Sequence, residues 1–259
     1  MTPQHPGRHE LGQNFLIDRK YKSMIVGLAL SRDLPVIELA AGDGALTGPL
    51  ARRASRLTAV EIDPRRAARL RRRLGPAAEI VTADLLAYRL PPVPHTIVAN
   101  LPFHLTTAAL RRLLAAPHWQ RAVLLTQWEV ARRRAGVGGG SLLTATWAPW
   151  FEFELIARVP ARAFRPAPSV DGGIFVATRR AAPLVERKGP YQRFVAAVFK
   201  APGSSLAEKA VRSGRLGRGQ VRAWLRDEGL PPRALPRQLG AEQWVSLWSR
   251  QRDRAGPGR

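Results

Sequence analysis

The sequence predicts an α/β fold built on a mainly parallel sheet, followed by a small helical domain. Three observations carry this. From Pro35 to Thr126, short apolar runs alternate with amphipathic stretches, as in β-α units whose strands are buried on both faces. Beyond residue 181, helical patterns such as Tyr191–Lys200 and Gln220–Asp227 continue without a convincing strand. The chain has 259 residues, a length that suits one large domain with an appendage.

The expected strands are Val36–Ala40, Leu57–Ile62, Glu79–Thr82, Thr96–Ala99 and Ala122–Thr126, with Phe151–Ile156 and Ile174–Thr178 as an antiparallel edge hairpin. The clearest helix follows Asp63-Pro64. Asp63 can cap it, Pro64 fits its first position, and Ala67, Leu70 and Leu74 form a buried stripe that ends near Gly75-Pro76. The segment 179–190 is polar and proline-punctuated. The expected domains are therefore 1–180 and 181–259, with a frayed tail at RDRAGPGR.

Composition narrows the function. The net charge is +23, and 37 of the 42 basic residues are arginine, so the surface favours polyanions. Hydrophobic residues make up 45% of the chain, too many for wholesale disorder, which puts the charge on the outside of a folded body. With no cysteine, disulfides, thiolate metal sites and a cysteine nucleophile are excluded. The five histidines show no pair at metal-ligand spacing, so no metal is expected. No window reaches the roughly 18 apolar residues of a membrane span, and the first twenty lack an apolar segment, so a cytoplasmic protein is expected.

A candidate cofactor site starts in the first βα turn, Glu38-Leu39-Ala40-Ala41-Gly42-Asp43-Gly44. A glycine turn there lets a ligand approach the backbone closely, although such a pair is equally often just a tight turn. Glu61 ends the second strand nineteen residues after Gly42, where a carboxylate can accept hydrogen bonds from both ribose hydroxyls. Thr47 stands where a dinucleotide fingerprint has its third glycine, which favours a compact nucleoside cofactor. Asp84 ends the third strand and can accept from an adenine amine; each carboxylate alone also suits a helix cap.

At the end of the fourth strand stands Asn100-Leu101-Pro102-Phe103. It reads either as a proline turn with a buried aromatic or as an amine-binding site. In the second reading the Asn100 side-chain oxygen and the Leu101 carbonyl accept from an exocyclic amine while Phe103 stacks on its base. An adenine amine is a poor nucleophile because its lone pair is delocalised into the ring. Two acceptors holding both its hydrogens turn that lone pair toward an electrophile, so positioning supplies most of the acceleration.

Together these residues resemble the Erm-type 23S ribosomal RNA adenine N6-methyltransferases, relatives of the housekeeping small-subunit dimethyladenosine transferases. The resemblance covers about the first 180 residues. It rests on His9-Glu10-Leu11-Gly12-Gln13-Asn14-Phe15-Leu16, the glycine turn, Glu61-Ile62-Asp63-Pro64, Asn100-Leu101-Pro102-Phe103, Leu125-Thr126-Gln127-Trp128-Glu129, and the segment from Phe164 to Asp171. It implies a Rossmann-like S-adenosylmethionine-dependent methyltransferase domain with a small helical C-terminal domain. It also implies cofactor contacts from Asn14, Leu16, Ala40, Gly42, Glu61, Asp84 and Asn100, and Phe103 stacked on the target adenine of 23S RNA. The implied outcome is resistance to macrolide, lincosamide and streptogramin B antibiotics.

The chain departs from the family pattern twice. Ala40 stands where glycine is usual, which narrows the approach to the methionine part of the cofactor, and Phe103 replaces tyrosine while keeping the stacking face. For RNA, Arg132, Arg133 and Arg134 run into the glycine-rich segment Gly136–Ser141. The pattern suits an ordinary solvated helix end as well as a loop that RNA orders. The arginine-rich helix after Glu61 reads mainly as a solvated face. Phe164-Arg165-Pro166 is a stiff connector, which the resemblance places beside the target-base pocket. A monomer is expected. The alternatives are a housekeeping 16S dimethyladenosine transferase and a non-catalytic RNA-binding assembly factor on the same fold; the opening motif and Leu125–Glu129 look more like the resistance branch.

Overall fold

The computed structural model describes residues 14–252. The motif residues His9–Gln13 and all of the expected tail after Arg252 lie outside the described residues. The chain runs β1 (Phe15–Leu16), α1 (Arg19–Ala29), β2 (Val36–Leu39), α2 (Thr47–Ala51), β3 (Leu57–Glu61), α3 (Pro64–Leu74), β4 (Glu79–Thr82), β5 (His95–Asn100) and α4 (Thr106–Ala115). Then come β6 (Trp119–Gln127), α5 (Trp128–Arg134), α6 (Leu142–Trp147), β7 (Phe151–Val159), β8 (Phe164–Arg165) and β9 (Gly172–Arg179). Four helices close the chain: α7 (Lys188–Lys200), α8 (Leu206–Arg212), α9 (Arg218–Asp227) and α10 (Ala241–Arg252).

Seven strands form one sheet in the order β4-β3-β2-β5-β6-β9-β7. The pairs β2 with β3, β2 with β5, β3 with β4 and β5 with β6 are parallel. Every residue of β2 and β3 is buried, because helices cover both faces of such a sheet. From β2 the chain steps outward through β3 and β4, then returns to β5 on the other side. The strand order therefore reverses between β2 and β5, and the carboxyl ends part there into a crevice.

The helix after β3 forms for the reasons visible in its sequence. Asp63 Oδ1 accepts from the amides of Arg65 at 2.8 Å and Arg66 at 3.4 Å, Pro64 opens the helix, and Gly75 closes it at φ 53°. Ala67 and Leu70 are buried as expected. Its arginines are mainly exposed as expected, with Arg66 half-buried, and several of them also make local bonds. Arg71 donates to Ile80 O and Thr82 Oγ1, Arg73 to Asp43 O, and Arg66 pairs with Asp43 and Asp63, so the helix ties down the glycine turn.

The expected single cut near residue 181 gives way to a double crossing. One compact unit ends at Ala131 and resumes over Leu155–Ala177; the other comprises Arg132–Glu154 and everything from Thr178. The reason is packing. Leu142, Ala145 and Trp150 join the core built by Tyr191, Phe194, Val198, Trp224, Trp244 and Leu247, and the Tyr191 hydroxyl donates to Ala145 O at 3.0 Å. Trp244 stacks on Phe199 at 5.6 Å between ring centres. Among the described residues no helix is long and apolar enough to cross a membrane, and no cluster of three or more His, Cys, Asp or Glu could hold a metal ion.

Candidate active site

The crevice at the carboxyl ends of β2, β3 and β5 holds two recesses that share Ala40 and Pro102. One is walled by Asn14, Phe15, Leu16, Glu38, Gly42 and the Asn100–Phe103 segment. The other is walled by Glu61, Ile62, Asp84, Leu85, His104 and Leu105. Every cofactor residue expected from the sequence therefore lines one or both.

The turn after β2 has a strained, defined backbone. Gly42 and Gly44 lie at φ 58° and 80°, and Ala40 also takes a positive φ, 59°, which costs an L-residue about 1–2 kcal/mol relative to its preferred region. A side chain at Gly44 would collide with Leu70 and Arg73, and one at Gly42 would come within 3.0 Å of Phe15 Cε1. Glu61 holds the turn in place: Oε2 accepts from Gly42 N at 2.7 Å and Oε1 from Asp63 N at 2.9 Å. Each oxygen keeps a second lone pair, enough to accept a ribose hydroxyl as well. Asp84 Oδ1 accepts from Leu86 N at 2.8 Å, so this carboxylate caps a turn while lining the recess.

Asn100 sits at the last position of β5. Its Nδ2 donates to Asn14 O at 2.9 Å, which orients the amide and leaves Oδ1 as the acceptor for a substrate amine. Leu101 N donates to Leu125 O at 2.9 Å, fixing the next peptide. After Pro102 the chain turns into a short 3₁₀ segment that leaves Phe103 half-buried in the wall of the recess. The Asn14–Leu16 segment is held from the other side by pairing of β1 with β8, Phe15 opposite Arg165 and Leu16 opposite Phe164. Arg66 lies 4.9 Å over the Phe15 ring.

Glu38 was missed by sequence reasoning as a site residue. It is 2% exposed one residue before the end of β2, lines the first recess, and its Oε2 has no hydrogen-bond partner. Burial lifts its carboxyl to a pKa of about 8; the Thr47 hydroxyl opposes this, the nearby Glu61 adds to it, and Arg73 opposes it. Thr47 stays close without completing a bond, since its Oγ1 is also left without a partner. Ile62 was missed as well. It is 50% exposed in the wall of the second recess, whereas in sequence it reads as the buried last residue of an apolar strand, so no signal set it apart.

The RNA-contact expectations need two corrections. Phe164 is 3% exposed, and its ring packs against Gly172 within the core, so it has no face to offer a base; Arg165 beside it is exposed. The glycine loop is tied down rather than loose. Gly139 N donates to Gly136 O, Val137 N to Arg132 O, and Gly140 N to Arg237 O at 2.6 Å. Arg132 lies against Gly138 and Arg134 donates to Ser141 Oγ at 2.7 Å, which leaves Arg133 as the exposed member of the run. The cis Arg165-Pro166 segment leads to Asp171, whose carboxyl is held below the usual range by the Ala161 amide and by Arg158.

The family described as ribosomal RNA adenine dimethylase matches residues 4–251. The chain is 49% identical over 255 residues to the mycinamicin-resistance protein MyrB of Micromonospora griseorubida, spanning 97% of this chain and 81% of that one. It is 49% identical over 217 residues to an rRNA adenine N-6-methyltransferase of Corynebacterium diphtheriae, spanning 83% and 86%. The crystal structure of the 23S rRNA methyltransferase ErmE superposes with a TM-score of 0.85 at 38% identity, spanning 92% of this chain and all of that one.

Proposed function

Because the chain belongs to the ribosomal RNA adenine dimethylase family, we propose that it methylates N6 of one adenine in 23S ribosomal RNA and so confers macrolide, lincosamide and streptogramin B resistance. The chain is an Erm-type rRNA adenine N6-methyltransferase. It acts in the cytoplasm as a monomer.

S-adenosylmethionine, the methyl donor of such enzymes, supplies an electrophilic methyl group on a sulfonium. The recesses fit it: Glu61 offers acceptors to ribose hydroxyls, Ile62 an apolar face, Asp84 an acceptor, and Glu38 and Asn14 line the part beside Asn100. On the substrate side, Asn100 Oδ1 and the Leu101 carbonyl hold both N6 hydrogens, and Phe103 stacks on the base. This takes the N6 lone pair out of conjugation with the ring and points it away from the two acceptors. The proton that N6 must shed leaves along one of those hydrogen bonds to water. No strong base is required, and His104, exposed on the neighbouring wall, stays outside the mechanism.

The observation that carries this reading is the hydrogen bond from Asn100 Nδ2 to Asn14 O, which commits the amide to presenting its oxygen. The test is transfer of labelled methyl to large- and small-subunit RNA side by side, with the modified base mapped by primer extension. The expected result is one block in large-subunit RNA, with Asn100→Ala slower by about 10²–10³-fold, the usual effect of losing a positioned polar contact to a reacting group. Label confined to small-subunit RNA would move the chain to the housekeeping branch. Expression in a sensitive host should raise macrolide tolerance, and unchanged susceptibility would count against the physiological part.

A further inference from the structure

Glu38, one residue before the end of β2, and Glu61, at the end of β3, lie on neighbouring strands, both buried, and only Glu61 has both oxygens satisfied within the protein. Backbone amides occupy both Glu61 oxygens. Glu38 Oε2 has no partner although its side chain lines the recess next to Asn14, Ala40 and Asn100. A buried carboxylate without donors is costly, so such a group stays neutral until something charged arrives.

Building on the cofactor reading above, we propose that Glu38 is a proton-linked charge sensor: it is neutral in the ligand-free protein and gives its proton to bulk water when a cationic ligand occupies the recess beside it. The O–H bond of the carboxylic acid breaks, both electrons stay on oxygen, and the resulting carboxylate pairs with the positive charge of the ligand. The charged groups bearing on Glu38 from the packed elements are Glu61 on β3, which disfavours ionisation, and Arg73 on α3, which favours it. Arg73 is committed to the Asp43 carbonyl at 2.9 Å and leaves Glu38 Oε2 without a donor. Thr47 on α2 and Asn100 on β5 are uncharged neighbours in the same region. The neutral state holds at physiological pH, because the carboxyl of the ligand-free protein titrates near 8. The device favours ligands that carry positive charge over neutral nucleosides of the same shape.

The test is calorimetric titration of the full chain with S-adenosylmethionine at pH 7 in phosphate and in Tris, buffers of different ionisation enthalpy. A group titrating near 8 should release about 0.9 proton per ligand at pH 7. The release should be absent with 5′-methylthioadenosine, which lacks both the sulfonium and the amino-acid cation, and absent in Glu38→Gln with S-adenosylmethionine. The wild type supplies a second measurement that needs no variant. Its dissociation constant should fall severalfold per unit as pH rises from 6 to 7.5, because the proton to be displaced becomes easier to remove. Binding with buffer-independent heat and flat affinity, or undiminished release in Glu38→Gln, would overturn the proposal while leaving the cofactor reading intact. Failure to bind S-adenosylmethionine at any pH would overturn the cofactor reading and this proposal with it.

Discussion

The glycine turn after β2 and the glycine loop after α5 look alike in sequence, and different contacts demand their glycines. In the turn, Gly42 and Gly44 take positive φ beneath Phe15, Leu70 and Arg73, and the strand ends open in front of them as a recess. In the loop, Gly136, Gly138 and Gly139 lie at φ 78°, 75° and 115°; Arg132 fills the space at Gly138 and Arg237 that at Gly139, while Gly136 faces open space. The turn leaves out side chains in part so that a ligand can approach. The loop leaves them out at Gly138 and Gly139 so that Arg132 from α5 and Arg237 from the C-terminal helices can lie across it. A count of glycines does not separate these cases; the neighbours of the missing Cβ atoms do.

Substitutions at matched positions should pull the two apart, and the largest effect is expected in the turn. Gly42→Ala adds a Cβ 3.0 Å from Phe15 Cε1 and puts an L-residue at φ 58°. The strain, about 1–2 kcal/mol, falls on a wall of the recess, so S-adenosylmethionine affinity should drop by about tenfold or more. Calorimetry measures this directly. Gly139→Ala meets Arg237 Cδ at 3.1 Å and puts an L-residue at φ 115°, outside the left-handed α region, so its backbone strain is greater still. It should lower the melting temperature and raise the KM for RNA severalfold with no change in cofactor affinity. If Gly139→Ala weakened cofactor binding as much as Gly42→Ala, the two glycine segments would not be doing separate work.

A smaller contrast lies inside the arginine run. Arg134→Ala loses the bond to Ser141 and should cost about 1 kcal/mol of stability, read as a lower denaturant midpoint. Arg133→Ala should leave stability within about 0.5 kcal/mol and reduce the salt dependence of RNA binding by about one unit of slope. Equal salt slopes for wild type and Arg133→Ala would remove Arg133 from the RNA surface.

The sheet was legible because buried parallel strands are short apolar runs with few alternatives, and every expected strand from Val36 to Thr178 is found within a few residues. Asp63 and Pro64 fixed the start of α3 for the same local reasons. The two-residue pairing of Phe15–Leu16 with Phe164–Arg165 was not legible, since a strand that short has no periodicity and its partner lies 150 residues away. The fate of Phe164 was hidden likewise: only Gly172, which admits the ring, shows that it turns inward. At the site, Glu61 and Asn100 announced themselves as polar residues ending apolar strands, and Asp84 as a carboxylate just after one. Glu38 stands one residue before the end of its strand and reads as part of the glycine motif, so its burial and missing partner emerge only once β3 and α3 are packed around it.

The smallest expected effect concerns Ala40, where the family pattern has glycine. The φ of 59° costs alanine about 1–2 kcal/mol in the folded state, whereas glycine loses about 0.4–1 kcal/mol through its freer unfolded chain. These terms oppose each other, so Ala40→Gly should stabilise by about 0–1.6 kcal/mol. Its effect on cofactor affinity separates two roles for the methyl group. Ala40 borders both recesses, so a Cβ that merely lines the wall allows at most a few-fold tightening when it is removed. Tightening beyond tenfold, with stability unchanged, would show that this methyl group narrows the route between the recesses, and that the chain carries an alanine there at the expense of cofactor affinity.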